Sequence, residues 1–229
     1  MKTLGLIGGT SWLSAADYYK IINQEINKQL GGLNSAKLFM YSLNYEEFKP
    51  PADITQWGRI ADLLTGIAIR LQNAGAECIV ICANTPHMAA DIVQQNINIP
   101  LIHIAEVTAK EIVKQKIKTV ALLGTKFTME QSFFKSKLTD SGIATLIPGD
   151  TERDFLHDTI FNELGKGIFT NETKQKYLGI ISNLVKQGAE GVIFGCTEIP
   201  MLIKEDDCSI PVFDTLLIHA KAVAGFALS

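Results

Sequence analysis

The sequence predicts an α/β protein built from two pseudo-symmetric, doubly wound domains, each with a parallel sheet. Two observations support this fold class. Short runs that are apolar on both faces alternate with helical patterns, as parallel strands covered by helices require. The second half of the chain also repeats motifs of the first half. With 229 residues, 47% of them hydrophobic, the chain is long enough to bury a core in each domain.

The predicted elements alternate along both halves of the chain. Apolar runs predict strands at 4–7, 78–81, 120–123 and 192–194. Amphipathic patterns predict helices at 15–30, 56–74 and 174–187. Because helices separate the strands, the strands are expected to be parallel, with ligand-binding loops at their carboxyl ends.

Three pairs of segments match in the same order. Gly-Ala-Glu, an apolar run and a small polar loop occur at 75–85 and again at 188–198. Ile-Pro with two following apolar residues occurs at 99–102 and at 210–213. The runs that begin at Thr3 and Thr119 also match. An offset of about half the chain indicates duplication of a whole domain.

The repeat also suggests where the domains begin and end. Residues 212–214 have the pattern of a strand and residues 216–227 that of a closing helix, which we expect to return to the first half. We therefore predict a first domain of residues 1–100 plus 212–229 and a second domain of residues 101–211.

Composition and charge argue against several functions. The net charge is -3 and the 21 Lys and Arg residues are scattered, whereas nucleic-acid binding needs a clustered basic surface. No apolar run approaches the roughly 20 residues of a membrane-spanning helix. Four cysteines without a CxxC pair favour a reducing cytoplasm. The expected partner is a small molecule, and neither a nucleic acid nor a membrane.

The segment Gly-Cys-Thr-Glu-Ile-Pro at 195–200 is the strongest candidate for chemistry. Pro200 and the apolar residues after it predict a helix that begins just beyond Cys196. A helix N-terminus stabilises a thiolate, so we expect Cys196 to have a lowered pKa and to act as a base or nucleophile. A buried structural cysteine is the alternative.

The matching segment of the first half is Asn-Thr-Pro-His at 84–87, and the repeat makes Ala83 the counterpart of the cysteine. The side chains of Asn84, Thr85 and Thr197, beside backbone N–H groups, form an expected carboxylate or anion site. We expect both loops to face one cleft between the domains, where a small ligand binds. The chain has no spacing typical of a metal site, a nucleotide-binding motif or a nucleophile elbow.

These motifs resemble the aspartate/glutamate racemase family, which also includes hydantoin racemases and arylmalonate decarboxylases. The resemblance covers essentially the whole chain: Ile-Gly-Gly-Thr-Ser-Trp at 7–12, Leu-Gly-Gly-Leu-Asn-Ser-Ala at 30–36, and the segments at 84–87 and 195–200. It implies two similar α/β domains with the active site between them, a homodimer, and a reaction without pyridoxal phosphate, metal or nucleotide.

The resemblance also implies a mechanism, in which thiols on opposite faces of the substrate remove and return the α-proton. Because that proton is weakly acidic, hydrogen-bond donors must stabilise the carbanion-like state. Lys166 stands where aspartate-type members often carry a basic residue, and could bind a side-chain carboxylate; a solvated surface lysine is the alternative. The resemblance implies that hydrogen bonds to the α-carboxylate come from Thr10, Ser11, Asn84, Thr85, Thr125 and Thr197.

The sequence departs from the family at the first cysteine, where Ala83 stands. A methyl group cannot transfer protons, and Cys82 would reach the cleft only if its strand ends or bulges there.

Three functional interpretations are compatible with this departure. One is an aspartate or glutamate racemase with Cys196 as one base and another group or water as the second. A second is a one-cysteine decarboxylase or isomerase of the same family. A third is a catalytically impaired amino-acid-binding protein, or an engineered alanine variant of an active enzyme. The segments at 7–12 and 30–36 favour the racemase.

Overall fold

The computed structural model describes residues 1–48 and 56–229, and the chain divides into two compact units. Unit 1 comprises Met1–Ile104 together with Leu216–Ser229, and unit 2 comprises Ala105–Thr215. Each unit has a parallel sheet with helices packed on it. The predicted α/β class, with parallel sheets in two halves, is confirmed.

Unit 1 is built on a parallel sheet that has three strands within the described residues. Its elements before the crossover are β1 (Leu4–Gly8), α1 (Trp12–Leu30), β2 (Leu38–Ser42), α2 (Tyr45–Phe48), α3 (Trp57–Asn73), β3 (Cys78–Ile81), a 3-10 helix (Thr85–Ala89) and α4 (Ala90–Gln95). The strand order is β2-β1-β3, so β1 lies in the middle. Leu4 is opposite Leu38 on one side and Cys78 on the other.

Unit 2, which is described throughout, contains a parallel sheet of four strands. Its elements are α5 (Ile104–Lys114), β4 (Thr119–Gly124), α6 (Lys126–Glu130), α7 (Ser132–Asp140), β5 (Ala144–Leu146), α8 (Asp150–Asn162), a 3-10 helix (Leu164–Lys166), α9 (Asn171–Lys186), β6 (Gly191–Gly195), α10 (Ile199–Leu202), a second 3-10 helix (Glu205–Asp207) and β7 (Val212–Asp214). The strand order is β5-β4-β6-β7. Val120 of β4 is opposite Gly191 of β6.

The last helix, α11 (Thr215–Leu228), returns the chain to unit 1. Its residues Ala220 and Val223 are fully buried in one core with Tyr18 and Ile22 of α1. Burying a large apolar side chain contributes roughly 1.5–3 kcal/mol. The first unit therefore depends on residues from both ends of the chain for its core.

The duplication is visible in the local geometry of the two units. Gly75 and Gly188 have φ angles of 101° and 104°, a region that glycine adopts without strain, and each ends a long helix. The backbone hydrogen bonds that follow are also equivalent: Glu77 N to Thr3 O at 2.8 Å and Glu190 N to Thr119 O at 2.9 Å, then Ile79 N to Pro100 O and Val192 N to Pro211 O, both at 2.9 Å.

The structure corrects the predicted domain boundaries. The sequence assigns 212–229 to the first domain, but β7 pairs with β6 in unit 2, with Val212 opposite Val192. The equivalent Leu101 bridges Ile79 in unit 1. Each Ile-Pro segment thus completes the sheet of its own unit, so the chain leaves unit 1 after Ile104 and returns at Leu216.

Helix ends differ from the predicted ones by a few residues because hydroxyl side chains cap them. The first helix begins at Trp12 rather than at 15, since Ser11 Oγ accepts a hydrogen bond from Ser14 N at 3.3 Å. Thr170 Oγ1 does the same for Thr173 N at 3.1 Å, and α9 begins at Asn171. Across the described ranges, every helix is too short or too polar to cross a membrane.

Candidate active site

Cys196 directly follows the last residue of β6, at the carboxyl end of a parallel strand. Open α/β sheets bind ligands at this end of their strands. The helix predicted beyond the cysteine is α10, which begins at Ile199 and has Pro200 in its first turn. Gly195 allows β6 to approach β4 closely, because a Cβ at this position would lie 2.8 Å from the carbonyl oxygen of Leu123. A side chain at 195 would therefore displace the cysteine that follows.

The Cys196 thiol donates a hydrogen bond to a buried carboxylate. Its Sγ lies 2.9 Å from Oε2 of Glu198, and Thr197 Oγ1 donates to the same oxygen at 2.9 Å. Cys196 and Glu198 are each only 8% exposed. A carboxylate in contact with a thiol can accept its proton, so the pair is a candidate acid–base unit. Sequence reasoning missed Glu198, although its place two residues after a candidate cysteine in a loop was a usable signal.

Burial raises the pKa of the Cys196 thiol well above its ordinary value, and the negative charge of Glu198 raises it further. The prediction of a lowered pKa is wrong. The helix beyond the cysteine has only 4 residues, and its N-terminus is a smaller influence than the loss of water around a thiolate. The resting group is a neutral thiol.

The equivalent loop of unit 1 carries Ala83 and has no thiol at its surface. Strand β3 ends at Ile81, and Cys82 is fully buried in the core against α1 and α11. Burial raises the pKa of Cys82, which therefore acts as an apolar packing residue. Ala83 is half-buried, Asn84 is 3% exposed, and a 3-10 helix with Pro86 in its first turn begins at Thr85.

A buried imidazole holds the carbonyl group of Ala83. His87 Nδ1 lies 2.8 Å from Ala83 O, and the N–H of Ile104 donates to His87 Nε2 at 3.2 Å. A carbonyl oxygen only accepts and a backbone N–H only donates. His87 is therefore neutral, with its hydrogen on Nδ1. These two bonds make His87 a supporting residue of the Ala83 loop.

A second buried imidazole, His219 of α11, has the opposite tautomer. Its Nε2 lies 2.8 Å from Ile102 O and must carry the hydrogen, so Nδ1 accepts from the Tyr18 hydroxyl at 2.7 Å. Burial lowers the pKa of His219 from 6.5 to about 3. The ring centroids of His87 and His219 are 5.8 Å apart. Two uncharged imidazoles thus lie side by side in unit 1, and of the two His87 bonds the Ala83 loop.

Three predicted binding residues, Thr10, Ser11 and Thr125, follow the first strand of each unit, and they differ in whether their hydroxyl groups are hydrogen-bonded. Ser11 and Thr125 are the N-caps of α1 and α6, and their hydroxyl oxygens accept backbone hydrogen bonds at 3.3 Å. The Thr10 hydroxyl oxygen is buried and lacks a hydrogen-bond partner among the described residues. Buried hydroxyls nearly always have a partner, so Thr10 has a donor available for a ligand.

Lys166 is exposed and ends the 3-10 helix Leu164–Lys166, which packs against α10 just beyond the cysteine loop. Lys126 and Arg153 of the same unit are already paired with carboxylates. Lys166 forms no ion pair with any residue in the described ranges. It is therefore an exposed cation on an element that contacts α10, the helix that follows Cys196.

Each unit brings its own predicted residues together. Unit 2 collects Cys196 and Thr197 with Glu198, and places Lys166 on a neighbouring element. Unit 1 collects the residues from Ala83 to Thr85 around a 3-10 helix start. Residues 1–48 and 56–229 contain no group of three or more His, Cys, Asp or Glu residues that could hold a metal ion. The arrangement in unit 2 can exchange a proton, and the loop of unit 1 offers polar groups only.

Comparison with known proteins gives a consistent result. Residues 7–223 match the family model described as Asp/Glu/Hydantoin racemase. A candidate Asp/Glu racemase from Yersinia pestis is 46% identical with a TM-score of 0.94, and the aspartate racemase homologue PH1733 from Pyrococcus horikoshii OT3 is 37% identical with a TM-score of 0.85; both alignments cover 100% of each chain. The broad specificity amino-acid racemase RacX of Bacillus subtilis is 26% identical over 71% of this chain and 70% of its own length.

Proposed function

The chain belongs to the Asp/Glu/hydantoin racemase family, and we propose that it is a cofactor-independent racemase of aspartate or glutamate in which Cys196 exchanges the α-proton. The predicted family and the predicted class of enzyme, a racemase, are confirmed by the match. The observation that carries the proposed mechanism is the hydrogen bond from the Cys196 thiol to the buried Glu198 carboxylate. Aspartate is the substrate to test first, because the relative from Pyrococcus horikoshii is described as an aspartate racemase homologue.

The proposed proton transfer begins with a neutral thiol. Glu198 accepts the thiol proton, and the Cys196 thiolate then removes the α-proton of the substrate. Because the pKa of the Cys196 thiol is raised, only a small fraction of the protein carries the thiolate. For the same reason, that thiolate is a stronger base than the thiolate of a cysteine with an ordinary pKa. In the reverse direction the thiol returns a proton to the same face of the α-carbon. The raised pKa therefore suits abstraction from a weakly acidic carbon.

The proposed binding of the substrate relies on neutral donors and one cation. Stabilising the carbanion-like state requires hydrogen bonds to the α-carboxylate that are in place beforehand. The buried Thr10 hydroxyl, which lacks a partner among the described residues, supports this role. Asn84 and Thr85, at the start of a 3-10 helix, are the proposed partners in the same unit. Lys166 is proposed to bind the side-chain carboxylate, because it is exposed and close to the α10 region.

Ala83 leaves the second proton transfer to another group. The proposal requires the Ala83 loop to approach the face of the substrate opposite Cys196, as the family resemblance implies. Water is then the proposed proton donor on that face, since Cys82 is buried in the core.

Because Cys196 is the single thiol of the proposed site, a second candidate function is a one-cysteine decarboxylase or isomerase of the same family. Exchange at the α-carbon without inversion would support that candidate, whereas saturable binding without exchange would support a binding protein.

The experiment that tests the proposal compares matched cysteine variants in D2O. We expect the wild-type protein to replace the α-proton of aspartate or glutamate with deuterium. Cys196→Ser should reduce the rate by roughly 10²–10⁴-fold, the usual contribution of acid–base catalysis. Cys208→Ser makes the same change at a half-buried cysteine of the same unit and should leave the rate unchanged. Equal rates in both variants would remove Cys196 from the mechanism.

A homodimer and a cytoplasmic location stay predictions. The four free cysteines support a reducing compartment. Large apolar side chains that are exposed in unit 1 support association: Trp12 is 71% exposed and Leu33 is 101% exposed. Light scattering coupled to gel filtration should give twice the mass of one chain, and the mass of a single chain would contradict the dimer.

A further inference from the structure

His87 bonds two segments of unit 1 that are far apart in sequence. On one side it donates to Ala83 O, at the end of β3, and on the other it accepts from Ile104 N, at the start of α5. The residue is 1% exposed, so water does not compete for either bond. One imidazole therefore ties the proposed substrate loop to the point where the chain leaves the unit.

The same crossover is fixed a second time by His219. Its Nε2 bonds Ile102 O, two residues before Ile104, and its Nδ1 bonds the Tyr18 hydroxyl. The His103 ring also lies with its centroid 4.7 Å from that of His87. His219, however, has no hydrogen bond to the loop that carries Ala83. The two histidines share their surroundings and burial and differ in this contact.

The bond to Ala83 O has a consequence for the next residue. A trans peptide is planar, and its C=O and N–H groups point in opposite directions. Ala83 O and Asn84 N belong to one such peptide, and the described residues contain no cis peptide bonds. When His87 holds the carbonyl in the interior, the Asn84 N–H is directed away from His87. The orientation of a backbone donor in the proposed carboxylate site therefore depends on His87.

We propose that His87 is a positioning residue for the substrate carboxylate site, acting through the carbonyl group of Ala83. The inference rests on the proposed function, because that function supplies the carboxylate. The donor on Nδ1 is the part of His87 that matters for binding. The acceptor on Nε2 contributes to the stability of unit 1.

Two substitutions separate these parts of the ring. In His87→Asn the side-chain amide stands near the position of Nδ1 and can still donate to Ala83 O. In His87→Gln the amide stands near the position of Nε2, so the bond to Ala83 O is lost while a contact with Ile104 N is kept. His219→Gln is the matched control, since it alters an equally buried histidine of the same cluster.

The primary measurement is the affinity for L-aspartate and L-glutamate by calorimetry, with the rate of α-deuterium exchange measured in parallel. We expect His87→Gln to lose roughly 10- to 100-fold in affinity or in kcat/KM, because misplacing a binding group by about 1 Å costs that much. His87→Asn and His219→Gln should stay within about threefold of the wild type, or roughly 0.7 kcal/mol. Urea unfolding of each variant reports any loss of stability separately.

Nitrogen-15 NMR of the histidines gives a readout that needs no activity. It should show His87 neutral with hydrogen on Nδ1 and His219 neutral with hydrogen on Nε2 at pH 7. A charged His87, hydrogen on its Nε2, or wild-type affinity in His87→Gln would overturn the inference. Binding without exchange in the wild type would contradict the proposed racemase and leave the positioning role supported. No binding of either amino acid would overturn both.

Discussion

The loops that follow β3 and β6 occupy equivalent places in the two units, yet different groups hold them. The Cys196 loop is organised by a carboxylate, since Glu198 accepts hydrogen bonds from both the thiol and Thr197. The Ala83 loop is organised by a neutral imidazole, since His87 donates to the Ala83 carbonyl. One loop therefore pairs a thiol with a carboxylate, whereas the other has an alanine and a threonine at the equivalent positions.

This difference shows what a duplicated scaffold fixes and what it leaves open. The backbone hydrogen bonds from Glu77 to Thr3 and from Glu190 to Thr119 are equivalent in the two units, and a parallel strand precedes each loop. The side chains at the strand ends decide the chemistry. Thr85 stands where Glu198 stands in the second unit, so the first loop lacks the proton acceptor as well as the thiol.

Among substitutions that remove a difference between the two loops, the largest loss of activity is expected at Glu198. Glu198→Gln keeps the size of the side chain but removes the group that accepts the thiol proton, so exchange should fall on the order of 10²-fold or more. The pKa of Cys196 should also fall, because the carboxylate raises it in the wild type, although burial still keeps it elevated. Deuterium exchange and the pH dependence of iodoacetamide alkylation measure the two effects.

Two variants control this measurement. Alkylation is measured in a Cys208→Ser background, so that the half-buried Cys208 does not contribute. Glu205→Gln changes an exposed carboxylate of the same unit and should alter neither result. An unchanged exchange rate in Glu198→Gln would show that the thiol loses its proton to another group.

The next largest effect is a loss of stability at low pH, caused by the buried His219 beside His87 in unit 1. His219 has a folded pKa of about 3 against an ordinary value of 6.5, so its contribution to stability is complete above pH 6.5 and is lost as the pH falls toward 3. The loss approaches roughly 1.4 kcal/mol per pH unit and amounts to about 2.3 kcal/mol between pH 6.5 and 4.5. Urea unfolding at these two pH values should show a smaller decrease in His219→Gln than in the wild type. Identical decreases would mean that His219 is charged or solvated in the folded protein.

The smallest effect comes from giving the first loop a thiol. Ala83→Cys should raise the rate of interconversion of the enantiomers by about tenfold, toward the low end of acid–base contributions, because the new thiol has no counterpart of Glu198. Chiral chromatography of the product measures this rate, and circular dichroism checks the fold. A rate equal to that of the wild type in a folded variant would contradict the idea that this loop faces the reacting carbon.

The sequence predicted much of the fold because the repeat and the apolar runs depend on local pattern. The strand at 78–81 agrees with β3, and the loops of Ala83 and Cys196 follow strands as expected. The assignment of residues 212–214 to the first domain failed for a physical reason. The boundary was set by the apolar run at 212–214 alone, which is too short to identify its partner strand. The repeat of Ile-Pro at 99–102 and 210–213 indicates the observed pairing, since Leu101 bridges Ile79 and β7 pairs with β6 of unit 2.

The candidate site was predicted as a set of residues but not as an electrostatic environment. Cys196 was found from its motif, whereas the direction of its pKa depends on burial and on the orientation of Glu198, which no pattern encodes. The contact from His87 to Ala83 O within one turn could be anticipated, but its bond to Ile104 joins segments brought together only by folding.

The most direct test of the account is α-proton NMR of L-aspartate incubated with the wild-type protein in D2O, with chiral analysis of the same sample and L-glutamate in parallel. The account predicts that deuterium enters the α-position and that the D-enantiomer appears. Absence of exchange from both L-aspartate and L-glutamate would contradict it. Exchange with complete retention would confine the chemistry to the Cys196 face and favour a one-cysteine enzyme over a racemase.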